Sequence, residues 1–440
     1  MTEAEKHTTV RIENAVDISG GEQRHIDVSI KDGLISEISD ADSVKNENTR
    51  QSAEDTRVIN AEGLCLSAGF IDGYARLRDP GYEKKGTIES EARAAACNGV
   101  TTLFCSPDTD PVIDEAATVE LINRKARDSG FAKVLPIAAL TQGLQGELLS
   151  ELATLKAAGC IAASNADKPL TDLQVIRRCM DYARTFDIVL ILNPADRWLT
   201  ANGCVHEGAT ATRLGLPTIP VAAETVALAI LIELAWQTGA RIHFSRITSG
   251  RGIDMVAKAK QGGLPITADT SINHLIYDDT VLDHFDSQYS SVAPFRDAKD
   301  RDALREALAD GTIDSICTDH APHERDAKLA PFPSAAPGIS GLDTFLPLLL
   351  KLQDESTIAL SQLLTAVTVA PAEIFGLNQG RLEPGAPADL IIFDAQESFV
   401  LEESAMLSKG HNSPQCGQQL RGRNRYTLVD GKVVFEKPEI

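Results

Sequence analysis

Two short stretches hold most of the residue types that can do chemistry. The first, from Gly69 to Gly81, reads GFIDGYARLRDPG. A short apolar strand runs there into a polar loop ending at Pro80-Gly81, and strand alternation sets Asp72, Tyr74, Arg76 and Arg78 on one face. The second, from Thr318 to His323, reads TDHAPH and is followed by APGISGLDT at 336–344. A carboxylate such as Asp319 can move a proton or bind a cation. Imidazoles such as His320 and His323 can ligate a metal, and guanidinium groups can grip an anion bidentately. Asp319 stands at the C-terminal end of an apolar strand, where barrel enzymes keep their reactive groups. A lone Asp-His pair also fits plain loop capping with satisfied surface histidines, so its weight depends on its company.

The elements that must position these residues alternate in type. Strand-like segments at 100–105, 133–139, 161–163, 188–192, 241–244, 264–268 and 315–318 alternate with helix-like ones near 115–129, 147–158, 170–185, 222–238, 252–261 and 301–309. Gly99, Gly159 and Gly239 stand where helices stop before strands. About eight βα units of this length predict an α/β fold, a (β/α)8 TIM-type barrel rather than an open doubly wound sheet. No G-x-G-x-x-G or P-loop pattern follows the first strand. Residues 8–39 alternate as strands, with a turn at Gly20-Gly21 and a hairpin signal at Asp32-Gly33. The same register returns at 388–393 and 426–435, with a turn at Asp430-Gly431. The two ends are expected to form one small β-sandwich from segments 1–62 and 379–440, flanking a barrel at 63–378. The polar stretch 40–57 is expected to be a surface excursion.

Composition narrows the class of partner. The 440 residues are 43% hydrophobic and carry a net charge of −21, which lacks the basic footprint that nucleic acid or an anionic membrane requires. None of the eight cysteines falls in a C-x-x-C pair, and most have apolar neighbours, so free thiols in a reducing cytosol are expected. The N-terminus MTEAEKHTTV lacks the apolar core of a signal peptide, and apolar runs such as 226–234 are too short to span a bilayer. A cytoplasmic location is the expectation.

From about Arg11 to Phe435 the chain resembles the dihydroorotase family of cyclic amidohydrolases. The marks are GFIDGYARLRDPG, SPDTDPVID at 106–114, TDHAPH, APGISGLDT, and the tail from Gly385 through SKGHNSP at 408–414. The resemblance implies an amidohydrolase-type barrel and a reaction that interconverts dihydroorotate and N-carbamoyl-L-aspartate. In that family a zinc-activated hydroxide attacks the carbonyl and an aspartate carries the proton. It also implies ligand positions. Tyr74 and Arg76 stand where the family has two histidines, Asn193 and Arg246 where it has two more. In the turn Ser164-Asn165-Ala166-Asp167, Asn165 takes the place of a ligand aspartate, although a slip would bring in Asp167. Asp319 matches. Five of six ligand positions are thus substituted.

Three replacements for the lost ligands can be weighed. Odd parity with Arg246 predicts that His243 points away from the mouth, packed between barrel and helices. Lys168 follows the turn and precedes Pro169, a poor place for a carbamylated ligand. His320 and His323 share a loop with Asp319 and could help to hold one weak ion. Among substrate-holding positions, Arg78 matches the family arginine that grips a carboxylate, and His274 resembles a family histidine near the same group. Asp108 replaces an asparagine, and 292–296 replaces an Asn-Pro-Pro-Leu-Arg loop. Arg78 reads equally well as a plain salt-bridge residue.

The expected site is therefore a structural ion-pair cluster in which Arg76, Arg246 or both hold Asp319, a vestige of the proton shuttle, with no metal cofactor and zinc lost. The resemblance then implies a catalytically inactive dihydroorotase-like protein of de novo pyrimidine biosynthesis. Its implied partner is aspartate carbamoyltransferase, alongside contacts between copies of the chain. One alternative is an active dihydroorotase or cyclic amidohydrolase with a rebuilt site. Another is a binding module for carbamoyl-aspartate-like ligands through Arg78 and His274.

Overall fold

Eight short parallel strands form the central ring: Phe70–Ala75, Val100–Cys105, Lys133–Ala139, Ala162–Ser164, Leu190–Leu192, Ile242–Phe244, Ile266–Ser271 and Ser315–Cys317, paired in that order. The computed structural model describes residues 9–20, 23–41 and 56–437. Each strand is apolar on both sides, as a strand covered by helices outside and by packed side chains inside must be. Phe70, Leu103, Phe244 and Ile266 face the surrounding helices, while Ile71, Phe104, Ile137, Ile191 and Cys317 fill the lumen. Phe375, on the helix Val369–Phe375, plugs the lower end against Phe104, with ring centroids 4.7 Å apart.

The ring closes where the first and eighth strands meet. Arg76 N donates to His320 O at 2.8 Å, and the Asp72 carboxylate accepts the Thr318 amide at 3.0 Å and its hydroxyl. Asp72 is thereby spent on closure and does not join Tyr74 and Arg76. Pairing with the second strand slips register between Asp72 and Ala75, which breaks the simple alternation expected there.

Helices follow the strands with ordinary punctuation. Asp172, Ser249 and Asp297 cap helix N-termini through their side chains, and Gly130, Gly159, Gly239 and Gly311 end helices in the left-handed conformation. Phe345–Glu355, Leu360–Val367 and Val369–Phe375 complete the outer layer. Sequence periodicity misses them. Phe345–Glu355 reads FLPLLLKLQDE and is buried almost all round, so it carries no polar stripe to reveal the helical period.

The two chain ends build a second sheet of eight strands. Its spatial order is Lys432–Glu436, Gln419–Val429, Leu390–Val400, Cys65–Ala68, Thr9–Asp17, Arg24–Lys31 and Leu34–Asp40, with Thr56–Asn60 also paired to Thr9–Asp17. The expected sandwich of both ends is thus one sheet rolled over its own core of Ile12, Val28, Ile30, Leu66, Leu390, Ile392 and Leu428. Cys65–Ala68 belongs to this sheet, beyond the boundary placed at 62/63. The hairpins expected at Asp32-Gly33 and Asp430-Gly431 both form, with φ of 53° and 81° in one and 47° and 73° in the other. Their tips touch, so that a Cβ on Gly33 would sit 3.0 Å from Asp430 O. The N-terminal segment 1–8, Gly21 of the predicted turn, and most of the 40–57 excursion lie outside the described residues.

All eight cysteines are free thiols, and among the described residues no helix is long and apolar enough to cross a membrane. The tail motif SKGHNSP is tied to the barrel mouth. Asn412 donates to Ala321 O at 3.0 Å and Gly338 O at 2.9 Å, and accepts the His323 amide at 2.7 Å. Beneath this clasp, Glu91 meets His320 Nε2 at 2.9 Å and accepts the Lys409 amide at 3.1 Å, with both side chains fully buried. Removing one partner orphans the other. Glu91→Ala is therefore expected to lower unfolding stability by about 3 kcal/mol in urea titrations, and Glu91→Gln by less.

Candidate functional site

Three residues just past strand ends, Arg78, Arg246 and Asp319, hold left-handed backbone with φ of 64°, 61° and 48°. Such a conformation costs a non-glycine residue about 1–2 kcal/mol, so tertiary bonds must enforce it. For Arg246 the bond is visible: its amide donates to Asp269 Oδ1 at 2.5 Å. That turn also re-aims the side chain. Strand parity no longer holds once the strand has ended at Phe244, so His243 and Arg246 both face the barrel axis. His243 is therefore inside the lumen, not between barrel and helices. Its ring lies 5.3 Å from that of Phe375, with Nδ1 2.9 Å from Thr267 Oγ1 and Nε2 3.0 Å from Asp269 Oδ2.

At the mouth, two guanidinium groups meet three carboxylates. Arg246 bonds Asp319 Oδ1 through Nη1 at 2.9 Å and Asp167 Oδ1 through Nη2 at 2.5 Å. Arg76 reaches the same Asp319 oxygen at 3.4 Å, donates to Asp167 Oδ2, and bonds Asp108 Oδ2 through Nε at 3.1 Å. Tyr74 lies under both. Its ring centroid is 4.1 Å from the Arg246 guanidinium carbon and 5.2 Å from that of Arg76, and its hydroxyl accepts from Ser106 at 3.1 Å. Asn193 donates to Asp167 at 3.3 Å.

The arginine side chains are 4% and 0% exposed, yet both stay charged. Burial favours loss of the proton, but Tyr74, Asp108 and Asp319 around Arg76, and Asp319 with Tyr74 beside Arg246, hold both above the ordinary arginine range. Burial likewise pushes Asp108 up, and the Arg76 charge, the Ser106 hydroxyl and the Arg78 charge bring it below the usual carboxylate range. Cys317, next to Asp319, is a buried thiol pushed well above its ordinary value by burial. It is a packing group.

Other sequence candidates are placed differently. Asn165 accepts from Thr141 Oγ1 at 2.8 Å and donates to Lys168 O at 2.9 Å, which shapes the turn. The left-handed Ala166 then swings Asp167 into the cluster, where Arg76, Arg246 and Asn193 bind it. Lys168 closes that turn through its own amide, 3.1 Å from Asn165 O. Arg78 stays apart from the carboxylates, donating to Pro322 O and to His323 Nε2, each at 3.2 Å. Burial and the Arg76 charge lower its pKa to about 10; burial and Arg78 push His323 down to about 3, leaving a neutral acceptor. His274 bridges Ser271 Oγ at 2.8 Å and Ala293 O at 3.0 Å, and burial lowers its pKa to about 4.

His320 and His323 therefore both turn from Asp319, one toward Glu91 and the other toward Arg78. Among the described residues, no group of three or more His, Cys, Asp or Glu is placed to hold a metal ion. Sequence reasoning also misses Asp269 and Glu224. Glu224, buried in the first turn of the helix Ala222–Thr238, accepts the Thr248 amide at 2.8 Å and the Ser249 hydroxyl at 2.5 Å, fixing the loop that carries Arg246. The only signal for it is a charge in the first turn of a largely apolar helix.

Beside the cluster opens a cavity of about 400 Å³, walled by Asp167, Asn193, Arg246, Thr248, Arg296 and the 290–294 loop. Of its guanidinium groups, Arg246 is bound to carboxylates and Arg296 donates to Thr248 Oγ1 at 3.0 Å and Ile219 O at 2.9 Å, and each carboxylate at the mouth is met by an arginine. The arrangement pairs three carboxylates with two guanidinium groups and fixes shape. It leaves no unbound carboxylate to act as a base.

Comparison with known proteins agrees with this architecture. Residues 63–251 match the family described as dihydro-orotase-like, and residues 209–435 match the amidohydrolase family. A dihydroorotase-like protein from Pseudomonas putida is 46% identical over 86% of this chain and 89% of its own length. A dihydroorotase from Anaeromyxobacter dehalogenans is 38% identical over 96% of each chain. Among solved structures, the L-hydantoinase (dihydropyrimidinase) of Arthrobacter aurescens superposes with a TM-score of 0.84 at 22% identity, covering 98% of this chain and 97% of that one. That likeness is one of fold. With barrel, terminal sheet and relatives in agreement, the chain belongs to the dihydroorotase-like family of the amidohydrolases.

Proposed function

We propose that this chain is a non-catalytic dihydroorotase homologue of de novo pyrimidine biosynthesis, retained as a structural partner of aspartate carbamoyltransferase. The observation that carries the first half is the pair Arg76 and Arg246 at the barrel mouth, bound to Asp108, Asp167 and Asp319. Zinc takes thiolate, imidazole and carboxylate donors, and a guanidinium offers protons where a ligand must offer a lone pair. The residues at the family's metal positions do not fit the metal. Water without it keeps a pKa of about 15.7 instead of about 7, a handicap of roughly 12 kcal/mol in forming hydroxide. No side chain at this mouth makes good that loss.

The partner rests on the family resemblance, in which inactive bacterial relatives associate with aspartate carbamoyltransferase. The clasped mouth, the closed barrel and the rolled sheet support a chain kept for its shape. An active dihydroorotase with a rebuilt site is the competing reading, and turnover decides between them.

Purified protein dialysed against buffer is expected to retain far less than one zinc per chain by elemental analysis. It is also expected to show no dihydroorotate turnover with zinc added; robust turnover would reverse the proposal. Arg246→Met should cost about 3 kcal/mol in urea unfolding near neutral pH, because it leaves Asp167 and Asp319 to share Arg76 with Asp108. A mixture with aspartate carbamoyltransferase should elute as one larger species at micromolar concentration. Separate elution of the two proteins removes the scaffold role.

A further inference from the structure

A second cavity, of about 580 Å³, opens between the 323–329 loop, the 286–288 turn and the tail at 409–416. It shares no wall residue with the cavity beside the arginine cluster. Its walls bring together Lys84, Arg325, Lys328 and Lys409 from three separate segments. On a chain of net charge −21, such a gathering of cations reverses the local sign. None of the four pairs with a carboxylate among the described residues. Asp286, Glu324 and Glu403 also line the cavity, but Asp286 caps the Gln288 amide at 2.9 Å and Glu403 meets His411 Nδ1 at 3.3 Å.

Lys328 is the cation that most needs a partner. Its side chain is 5% exposed, and its ammonium donates only to Ser287 O at 3.0 Å and Ser290 O at 3.4 Å. An ammonium carries three N–H donors, so one is left without a protein acceptor. Burial lowers its pKa to about 8, against the pull of Asp286, and at neutral pH the group still carries its charge. A buried charge without a counter-ion is costly, and an anion in the cavity would relieve that cost. Lys409 spends one donor on Glu83 O at 2.6 Å, while Lys84 and Arg325 have no partner among the described residues.

Three other wall residues carry buried polar atoms without a partner: Gln288 Oε1, Glu324 Oε2 and His323 Nδ1. The first two are acceptors that lack a donor. A neutral His323 ring that accepts from Arg78 at Nε2 carries its proton on Nδ1, a donor that lacks an acceptor. The unmet groups thus ask for an anion with several oxygens and for hydroxyl donors beside it. Glu324 disfavours a ligand that is anionic throughout, and a hydroxyl is what its free oxygen takes. No phenyl, phenol or indole ring lines the cavity to stack a nucleobase. Its volume lies within the roughly 300–1,000 Å³ of small-molecule sites, well beyond the needs of a bare phosphate ion.

We infer that this cavity binds a sugar phosphate, with the phosphate among Lys84, Arg325, Lys328 and Lys409 and the hydroxyls on Gln288 and Glu324. Phosphate oxygens accept charge-assisted bonds from both ammonium and guanidinium groups, which the four cations supply from different sides.

Isothermal titration calorimetry of the full chain with glucose 6-phosphate tests this. The wild type is expected to bind it at sub-millimolar concentration, inorganic phosphate at least about tenfold more weakly, and glucose with no detectable heat. Lys84→Glu with Arg325→Glu, both exposed side chains, should weaken binding by more than about tenfold. Lys299→Glu, an exposed reversal outside the cavity, should leave it unchanged. Gln288→Ala should weaken glucose 6-phosphate and leave inorganic phosphate as it was. Circular dichroism melts matching wild type show that each variant is folded. Absence of heat with glucose 6-phosphate overturns the site, as does an equal loss of affinity in Lys299→Glu. Inorganic phosphate binding as tightly as glucose 6-phosphate overturns the sugar, and adenosine 5′-monophosphate binding more tightly overturns the choice of a ligand without a base.

Discussion

Everything at the barrel mouth depends on the pairing of opposite charges in a space with little water. Asp108, Asp167 and Asp319 come from three different strand-end loops and converge with side chains only 26%, 20% and 10% exposed. Without counter-ions they would repel one another or protonate, since an unpaired buried carboxylate is costly. Arg76 and Arg246 supply the positive charge, and their planar forks let one group address two carboxylates at once. Asp167 is met from both sides, by Arg76 on Oδ2 and by Arg246 on Oδ1. The cluster thus crosslinks the ends of the first, second, fourth, sixth and eighth strands, a restraint that packing of the lumen below does not supply.

That restraint explains why left-handed backbone persists at the mouth. Arg246 and Asp319 each hold a conformation that costs a non-glycine residue; the Arg246 amide is held by Asp269, and the guanidinium–carboxylate bond joins the two turns. Arg78 is the exception that clarifies the rule. Its backbone is left-handed as well, but its guanidinium serves the loop, binding Pro322 O and His323. A family-like arginine can be present at its position and be occupied entirely by architecture.

The barrel was legible in the sequence because alternation of apolar strands with capped helices is a local signal. The hairpins at Asp32-Gly33 and Asp430-Gly431 were legible for the same reason: only certain residues take both positive φ values. What escaped was set by tertiary geometry. The placement of His243 followed from a parity rule that fails when a left-handed residue intervenes, and Arg246 is such a residue. Asp167 against Asn165 was undecidable by spacing, because one left-handed Ala166 determines which side chain reaches the axis. Glu91, Glu224 and Asp269 were invisible, since nothing in a local pattern marks a buried acid that ties loops together. Helix Phe345–Glu355 hid behind its own uniform burial.

The motifs that carry the family resemblance are explained by architecture rather than by reaction. His320 of TDHAPH spends Nε2 on Glu91 and Nδ1 on the Gly341 amide at 3.1 Å, and so joins two of the resembling segments to each other. Asn412 of SKGHNSP binds Ala321 O, Gly338 O and the His323 amide, joining a third to both. Asp343 of APGISGLDT accepts the amides of Leu407 at 2.8 Å and Ser408 at 3.1 Å, which returns the connection to the tail. Each bond is buried or nearly so, and each would leave a polar group orphaned if one side changed. Such bonds preserve sequence marks whether or not the mouth above them reacts. A search keyed to those motifs therefore reports the fold, and only the residues at the axis (Tyr74, Arg76, Asp167, Asn193, Arg246 and Asp319) bear on the chemistry.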